Sequence, residues 1–393
     1  MNSYTETLVI GGGLVGAATT YYLSKKGHDV TLVERGQLNR QSSGQNAGSL
    51  HFQLEYRMIA FWDQLQNELS QLIPFSKAAE VVWRELENEL QMDLEVVQHG
   101  GLMVAETTEE WMVLKRKFEL EKRLNLNTEL LSKSETLRLA PYLSKSVVGA
   151  SYCPDEGHAN PREVTPAFVR RAVENGAKVH IKTPVESIEK YNGKWRVQLN
   201  SEDVIIADHL VVASGAWTAE VGRMLGLHLP VYPVPLLMNV TEQAQPFLSH
   251  MVQHVGQRLT MKQVRDGNIL IGGGWQSYFQ KKAGKVSFDI PPVVDPRLVI
   301  ENVKLAASIV PALNDLRLIR SWTGVTGITH DQLPLLGELA ERENVYLAVG
   351  GSGFTFGPLY ARILSDLITE NKTEFDMRAF SPQKLAHLNL FMR

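Results

Sequence analysis

The stretch Leu8-Val9-Ile10-Gly11-Gly12-Gly13-Leu14-Val15-Gly16 decides how this chain folds. Residues 8–10 form a short apolar, β-branched run, as expected of a buried parallel strand. Helical composition follows from Leu14 to Lys26, with Gly27 placed to cap it. Val30-Thr31-Leu32-Val33 reads as the next strand, and it ends on Glu34, eighteen residues past Gly16. Each glycine has a physical reason. Gly11 permits a tight turn, Gly13 lets backbone approach a pyrophosphate, and Gly16 lets helix and strand pack closely. The helix N-terminus offers N–H groups and a favourable dipole to phosphates. The Glu34 carboxylate suits a ribose diol and disfavours a 2′-phosphate, which argues against NADP. A dinucleotide site is therefore expected, with FAD and NAD both open at this point.

Bulk properties set the frame. The 393 residues suggest two or three domains, at roughly 100–200 residues each. A formal charge of −3 and the lack of a basic excess argue against nucleic acid. The single cysteine, Cys153, cannot close an internal disulfide, and no Cys/His cluster has metal spacing. No signal-peptide pattern opens the chain, and no run approaches the ~20 apolar residues of a membrane span. A cytoplasmic protein is expected, with contact to the inner face of a membrane left open.

Further along, residues 57–72 and 108–124 carry apolar positions at helical spacing, and residues 94–97 and 101–104 read as short strands between them. Residues 155–161 look like a turn-rich link. Helix is expected over 163–175, and Asn192-Gly193 is a hairpin signal between 185–191 and 194–199. Residues 209–213 read as a buried strand, and 230–288 alternate like an antiparallel sheet. Helix 295–310, strand 345–349, the turn Gly350-Gly351-Ser352-Gly353 and helix 358–368 complete the chain. The expected fold is α/β with α+β: a Rossmann-like parallel-sheet domain interrupted by a mostly antiparallel-sheet substrate domain. The expected boundaries are 1–84, 145–220 and 316–370 for the first domain, 85–144 and 221–315 for the second, and 371–393 for a C-terminal tail.

Several segments occur in a telling order: Ser42-Ser43-Gly44-Gln45-Asn46-Ala47-Gly48, Asp155-Glu156-Gly157 through Asn160-Pro161, Ala213-Ser214-Gly215-Ala216-Trp217, Trp322-Thr323-Gly324 with Asp331-Gln332-Leu333-Pro334-Leu335-Leu336-Gly337, and Gly350-Gly351-Ser352-Gly353-Phe354. Over nearly the whole chain they resemble the D-amino-acid oxidase superfamily of FAD-dependent amine oxidoreductases, which includes glycine and sarcosine oxidases. Asn46-Ala47-Gly48-Ser49-Leu50, Arg258-Leu259-Thr260-Met261-Lys262-Gln263 and Ile271-Gly272-Gly273-Gly274-Trp275 resemble the catalytic β subunits of opine oxidase, D-hydroxyproline dehydrogenase and hydrogen cyanide synthase. The resemblance implies FAD, oxidation of a C–N bond by hydride transfer to flavin N5, hydrolysis of the imine, and an electron-transfer partner subunit or a homo-oligomer.

It also implies roles by position. Gly11, Gly13, Leu14, Val15, Gly16, Glu34 and Arg35 would hold the nucleotide end. Ser42 and Ser43 would approach the pyrophosphate and ribityl chain, and Asn46, Ala47, Gly48 and Leu50 would run by the flavin. Val185 would present backbone to the adenine, with Ser214, Gly215 and Trp217 closing that side. Gly351, Gly353, Phe354 and Thr355 would bring N–H groups near the flavin N1–C2 carbonyl, where reduction deposits negative charge.

The departures are as informative. Covalent-flavin relatives carry a cysteine near residues 322–326; this chain has none there, so non-covalent FAD is expected. Amino-acid oxidases of the group place an arginine near Thr326, whose fork grips a carboxylate. His51, Arg57, Lys262 and Arg320 are the replacements considered, with Trp275 and Thr326 lining the pocket. Pro235-Leu236-Leu237 stands where relatives are polar, so an apolar wall and a bulkier amine are expected. Lys262 is the leading catalytic candidate and His51 the second; a solvated hairpin lysine and a structural histidine are the competing readings. An NAD-dependent dehydrogenase and a flavoprotein acting on a macromolecule are the alternative functions.

Overall fold

A computed structural model describes residues 2–60, 62–200, 203–288 and 290–392. The opening strand Asn2–Ile10 lies at the centre of the first sheet, between Val204–Val212 and Val30–Val33. Lys178–His180 extends the sheet beyond Val30–Val33, and Val345–Val349 extends it beyond Val204–Val212, all in parallel. Leu335–Glu338 closes that side antiparallel. The helix Leu14–Lys25 is buried almost all round, between Pro161–Glu174 and Gly357–Glu370. That explains why its sequence has little amphipathic stripe: a helix covered on all sides has no polar face to show. The Asn192-Gly193 hairpin forms as expected, joining Ser187–Tyr191 to Lys194–Gln198, with φ of 50° and 81° at the turn.

The second sheet has eight strands in the order Leu318–Thr329, Val231–Gln243, Asn268–Gly272, Thr260–Gln263, Met251–His254, Gly101–Ala105, Gly149–Cys153 and Glu129–Ser132. All pairings are antiparallel except that of Met251–His254 with Gly101–Ala105. Helix Pro296–Ile309 covers one face: Asn302 takes a hydrogen bond from Asn239 at 2.9 Å and gives one to the Gly272 carbonyl at 2.9 Å. The opposite face turns towards the loops at the ends of the parallel strands, the position where open α/β sheets place ligands.

Three local expectations change. The helix expected over 57–72 is split into Tyr56–Ile59 and a long helix Gln66–Leu90. Residues 94–97 do not form a strand; the Glu87 carboxylate takes the N–H groups of Leu94 and Val96, Glu95 sits at φ 55°, and only Val97 makes a bridge, to His158. The link at 155–161 is part of the core: Gly157–His158 pairs with Ser49–Leu50, and Glu156 is fully buried. Phe380 is also buried, and its carbonyl accepts the Leu336 N–H, so the chain after 370 packs back on the first sheet.

Candidate cofactor and active site

The glycine turn is as crowded as its motif requires. A Cβ on Gly16 would stand 1.9 Å from the Gly11 carbonyl oxygen, and one on Gly11, at φ 119°, would stand 2.5 Å from that of Ala213. The N-cap of the following helix, Gly13, brings no side chain of its own, so backbone N–H groups at this dipole end can meet an anion. Ser43 reaches this end, where its Oγ accepts the Leu14 N–H at 2.9 Å. Glu34 accepts the N–H of Gly12 and of Gly36, each at 2.7 Å, which holds its carboxylate at the strand end. Arg35 lies over the Trp217 ring at 4.2 Å, next to the turn Gly215–Trp217. The Trp217 Nε1 has no hydrogen-bond partner among the described residues. Val185 is half-buried just past Thr183, whose N–H bonds the Glu34 carbonyl. The nucleotide residues expected from sequence thus converge on one end of the first sheet.

Residues 42–51 form the second wall. Ser42–Gln45 is one helical turn, and Asn46 folds the chain after it: Nδ2 donates to the carbonyls of Ser42 and Ser43, while Oδ1 accepts the Gly48 N–H at 2.6 Å. A Cβ on Gly48 would lie 2.0 Å from the Ala159 carbonyl oxygen. Leu50 is buried, and the His51 N–H reaches Thr355 Oγ1 at 3.2 Å. Thr355 bonds the Ser49 carbonyl, its own carbonyl takes the Trp83 indole N–H at 2.6 Å, and Phe354 lies 5.3 Å from the Trp83 ring. The turn before it carries positive φ at Gly350, Gly351 and Ser352, and a Cβ on Gly351 would meet Pro334 at 2.5 Å. Gly353 completes that turn. The C-terminal glycine turn and the 42–51 segment are therefore stitched together.

The open face of the second sheet supplies the third wall. Cross-strand partners share a face. Register places Arg320, Val240, Leu270 and Lys262 in one row. Trp322, Met238, Gly272 and Thr260 form the next row; a Cβ on Gly272 would stand 2.9 Å from Met238 Sδ. The Trp322 Nε1 donates to the Gln45 carbonyl at 2.9 Å, and Lys262 Nζ to Ser49 Oγ at 2.6 Å. Both ends of this face thus grip the 42–51 segment. Of Pro235-Leu236-Leu237, only Leu236 belongs to the face, opposite Gly324; Leu237 is buried on the helix side. The apolar floor is Val234, Leu236, Met238, Val240 and Leu270. Thr326 pairs with Val234 at the end of the floor.

Lys262 is not a solvated hairpin lysine. It is 2% exposed, and burial holds its ammonium down to about 7. Arg320 is exposed at the sheet edge, its guanidinium 5.7 Å from the Trp322 ring. Trp275 lies in the turn after Gly272 and donates its indole N–H to the Arg258 carbonyl at 2.6 Å. The Arg258 guanidinium reaches the Gly274 carbonyl at 3.3 Å. Arg258 escaped the sequence reading, although its two-residue spacing from Thr260 and four from Lys262 was the available signal. Arg57 has its backbone in Tyr56–Ile59, and its side chain is outside the described residues.

A buried polar network also escaped it. Glu156 accepts from the N–H groups of Phe52 and Gln53 and from the amides of Gln53 and Gln253. Burial outweighs these donors and pushes its carboxyl up to about 8. Lys117, also fully buried, donates to Gln53, Glu121 and Ser151. This network fixes residues 52–54, directly after the second wall.

The three walls offer what FAD would need: a glycine-lined helix end that could approach a pyrophosphate, an anchored carboxylate at a strand end that could take a ribose, and a loop held against a β-sheet face. The family model described as DAO, FAD dependent oxidoreductase, matches residues 6–367. The chain belongs to this family of FAD-dependent oxidoreductases. The nicotinamide alternative is set aside. Among relatives in the family, a glycine oxidase of Geobacillus kaustophilus is 28% identical over 388 residues, covering 96% of each chain. Dimethylglycine dehydrogenase of Rattus norvegicus is 26% identical over 410 residues, covering 96% of this chain and 44% of that protein. The crystal structure of L-proline dehydrogenase from P. horikoshii superposes with a TM-score of 0.86 at 25% identity, covering 98% of this chain and 99% of that one. No described helix is long and apolar enough to cross a membrane.

Proposed function

We propose that this flavoenzyme oxidises the C–N bond of an amino acid or secondary amine, with FAD held non-covalently. The observation that carries the reading is the apolar floor of the second sheet, bracketed by basic residues and facing the 42–51 loop. Bound FAD would supply hydride acceptance at N5 and leave an imine for hydrolysis. The chain's own part is placement. Gly13, Gly16, the helix end and Ser43 would receive the pyrophosphate; Glu34 would receive the ribose; Trp217 and Val185 would bound the adenine; and residues 46–48 with Gly351–Thr355 would seat the flavin ring. The sole cysteine, Cys153, is buried in the second sheet opposite Gly101, away from the strand where flavin linkage would be expected.

Leu236, Met238, Val240 and Leu270 exclude water from the reacting carbon and favour a substrate with aliphatic bulk on its amine carbon, such as proline. An arginine of the rim, Arg258 or Arg320, receives the carboxylate that Thr326 cannot hold. We place the protein in the cytoplasm and its substrates among small zwitterions.

Anaerobic bleaching of the flavin by a panel of glycine, sarcosine, D- and L-proline, D-hydroxyproline, other D-amino acids and opines tests this. A cyclic or N-substituted amino acid should bleach fastest. Bleaching by glycine alone, or by none, overturns the substrate reading and returns attention to a macromolecular substrate.

A further inference from the structure

Beside Lys262, next to the strand Gly157–His158 that pairs with Ser49–Leu50, the structure holds a cavity of about 10 Å³. Its lining includes Lys262, Gln263, His158, His250 and His99. That is about the space one water requires, and a polar lining is what keeps such a water in place. The lysine needs one. Its ammonium carries three donors, and among the described residues Ser49 Oγ is its hydrogen-bond acceptor. His158 sits across the strand pair from Ser49 and is 9% exposed. Burial, then the charge of Lys262, hold its ring down to about 3, so it is a neutral acceptor. His250 is half-buried, with Nδ1 engaged by the Tyr142 hydroxyl at 2.8 Å. His99 is exposed. The polar groups thus run from Ser49 through the buried lysine and the cavity to the exposed His99.

The geometry points to a proton exit from the site: Ser49, Lys262, one water in this cavity, and then His250 and His99. This rests on the amine-oxidation reading. An amino acid arrives as an ammonium zwitterion, and hydride can leave only after the nitrogen has lost a proton. The substrate N–H bond breaks as an O–H bond forms at Ser49, and the former Ser49 proton forms the third N–H of a neutral Lys262 amine. Bound FAD would then accept the Cα–H electron pair as hydride. Lys262 returns to its neutral form by passing its proton to the water and out to solvent. His158 stays neutral and orients the water. The titratable groups that share the cavity with Lys262 are His158, His250 and His99; the nearby Gln253 amide donates to Glu156.

The test follows proton and hydride separately. In anaerobic stopped flow, flavin bleaching reports hydride, and a pH-indicator dye in weak buffer reports proton release. Proton release should keep pace with bleaching in the wild type and fall at least about tenfold behind it in His158→Leu and His250→Leu, with imidazole restoring the rate in His158→Ala. Release that still keeps pace in both leucine variants overturns the route. A high-resolution crystal structure of the holoenzyme gives a second reading without turnover: an ordered water between Lys262 Nζ and His158 is expected, and a dry cavity overturns the proposal even if a variant fails to fold. If no amine bleaches the wild-type flavin, the function fails; if amines bleach it and proton release is indifferent to the histidines, only the route fails.

Discussion

Lys262 Nζ lies 2.6 Å from Ser49 Oγ, joining a strand of the second sheet to the loop that follows the second strand of the first. The two residues are 213 positions apart. A lysine buried to 2% exposure makes this contact at a cost, because removing an ammonium from water is unfavourable.

That cost is visible as a pH dependence. Burial lowers Lys262 from its ordinary 10.5 to about 7, so between those values the unfolded chain binds the extra proton and the folded one does not. Stability from this group therefore rises with pH across about 7 to 10.5, and is lowest below 7. Lys262→Met should raise the thermal midpoint of the cofactor-free protein by several degrees at pH 6 and by much less at pH 10. Parallel melting curves for the two proteins at both pH values would contradict the assignment.

Gly16→Ala tests the nucleotide turn. Its Cβ would press on the Gly11 carbonyl oxygen, a backbone atom with no rotamer to yield. Overpacking of this kind costs about 1–3 kcal/mol and spreads the turn. The variant should purify with less than about a tenth of wild-type flavin, read from the ratio of 450 nm to 280 nm absorbance. Full flavin content would show that the turn has slack.

Glu156→Ala removes the acceptor for four donors that are otherwise buried. Leaving such groups unpaired costs about 1–3 kcal/mol each before relaxation. The thermal midpoint should fall by many degrees, and residues 51–54 should become sensitive to hydrogen exchange. Glu156→Gln keeps one acceptor oxygen and should recover part of the loss. Equal midpoints for the two variants would rule out the hydrogen-bond account.

The carboxylate question separates two arginines. Arg258→Met or Arg320→Met should raise KM about 100-fold for an amino-acid substrate, as expected for losing a charge-assisted pair. The same substitution should leave KM for the decarboxylated amine, pyrrolidine in place of proline, within about twofold. An unchanged ratio for both arginines means that the carboxylate is held elsewhere.

The parts legible in the sequence are those with local causes. The glycine turn, the strand ending on Glu34, the Asn192-Gly193 hairpin and the strand at 345–349 follow from steric and periodic rules within about ten residues. The buried status of Lys262 and Glu156 does not. Each depends on partners from distant segments: Ser49 for one, Gln53 and Gln253 for the other. Residues 155–161 read as a link because Asp, Glu, Gly, Asn and Pro favour turns. Nothing local shows that Glu156 would be taken into the core by donors from elsewhere. The failed strand at 94–97 has a similar cause, a carboxylate from the preceding helix that outcompetes a neighbouring strand for the N–H groups.

The loop at 45–51 is clamped by Trp322, Lys262 and Thr355 and by the strand pair with residues 157–158. Its clamps are spread over most of the chain, so the order of synthesis matters. On the proposed seating, a ribosome that has made the glycine turn and Glu34 has made the phosphate end but not the seat for the ring; the last of the clamps leaves the exit tunnel only after residue 355. On that seating, the full set of clamps for the cofactor is complete only late in synthesis. A chain truncated before Trp322 would carry the nucleotide signature and hold no flavin.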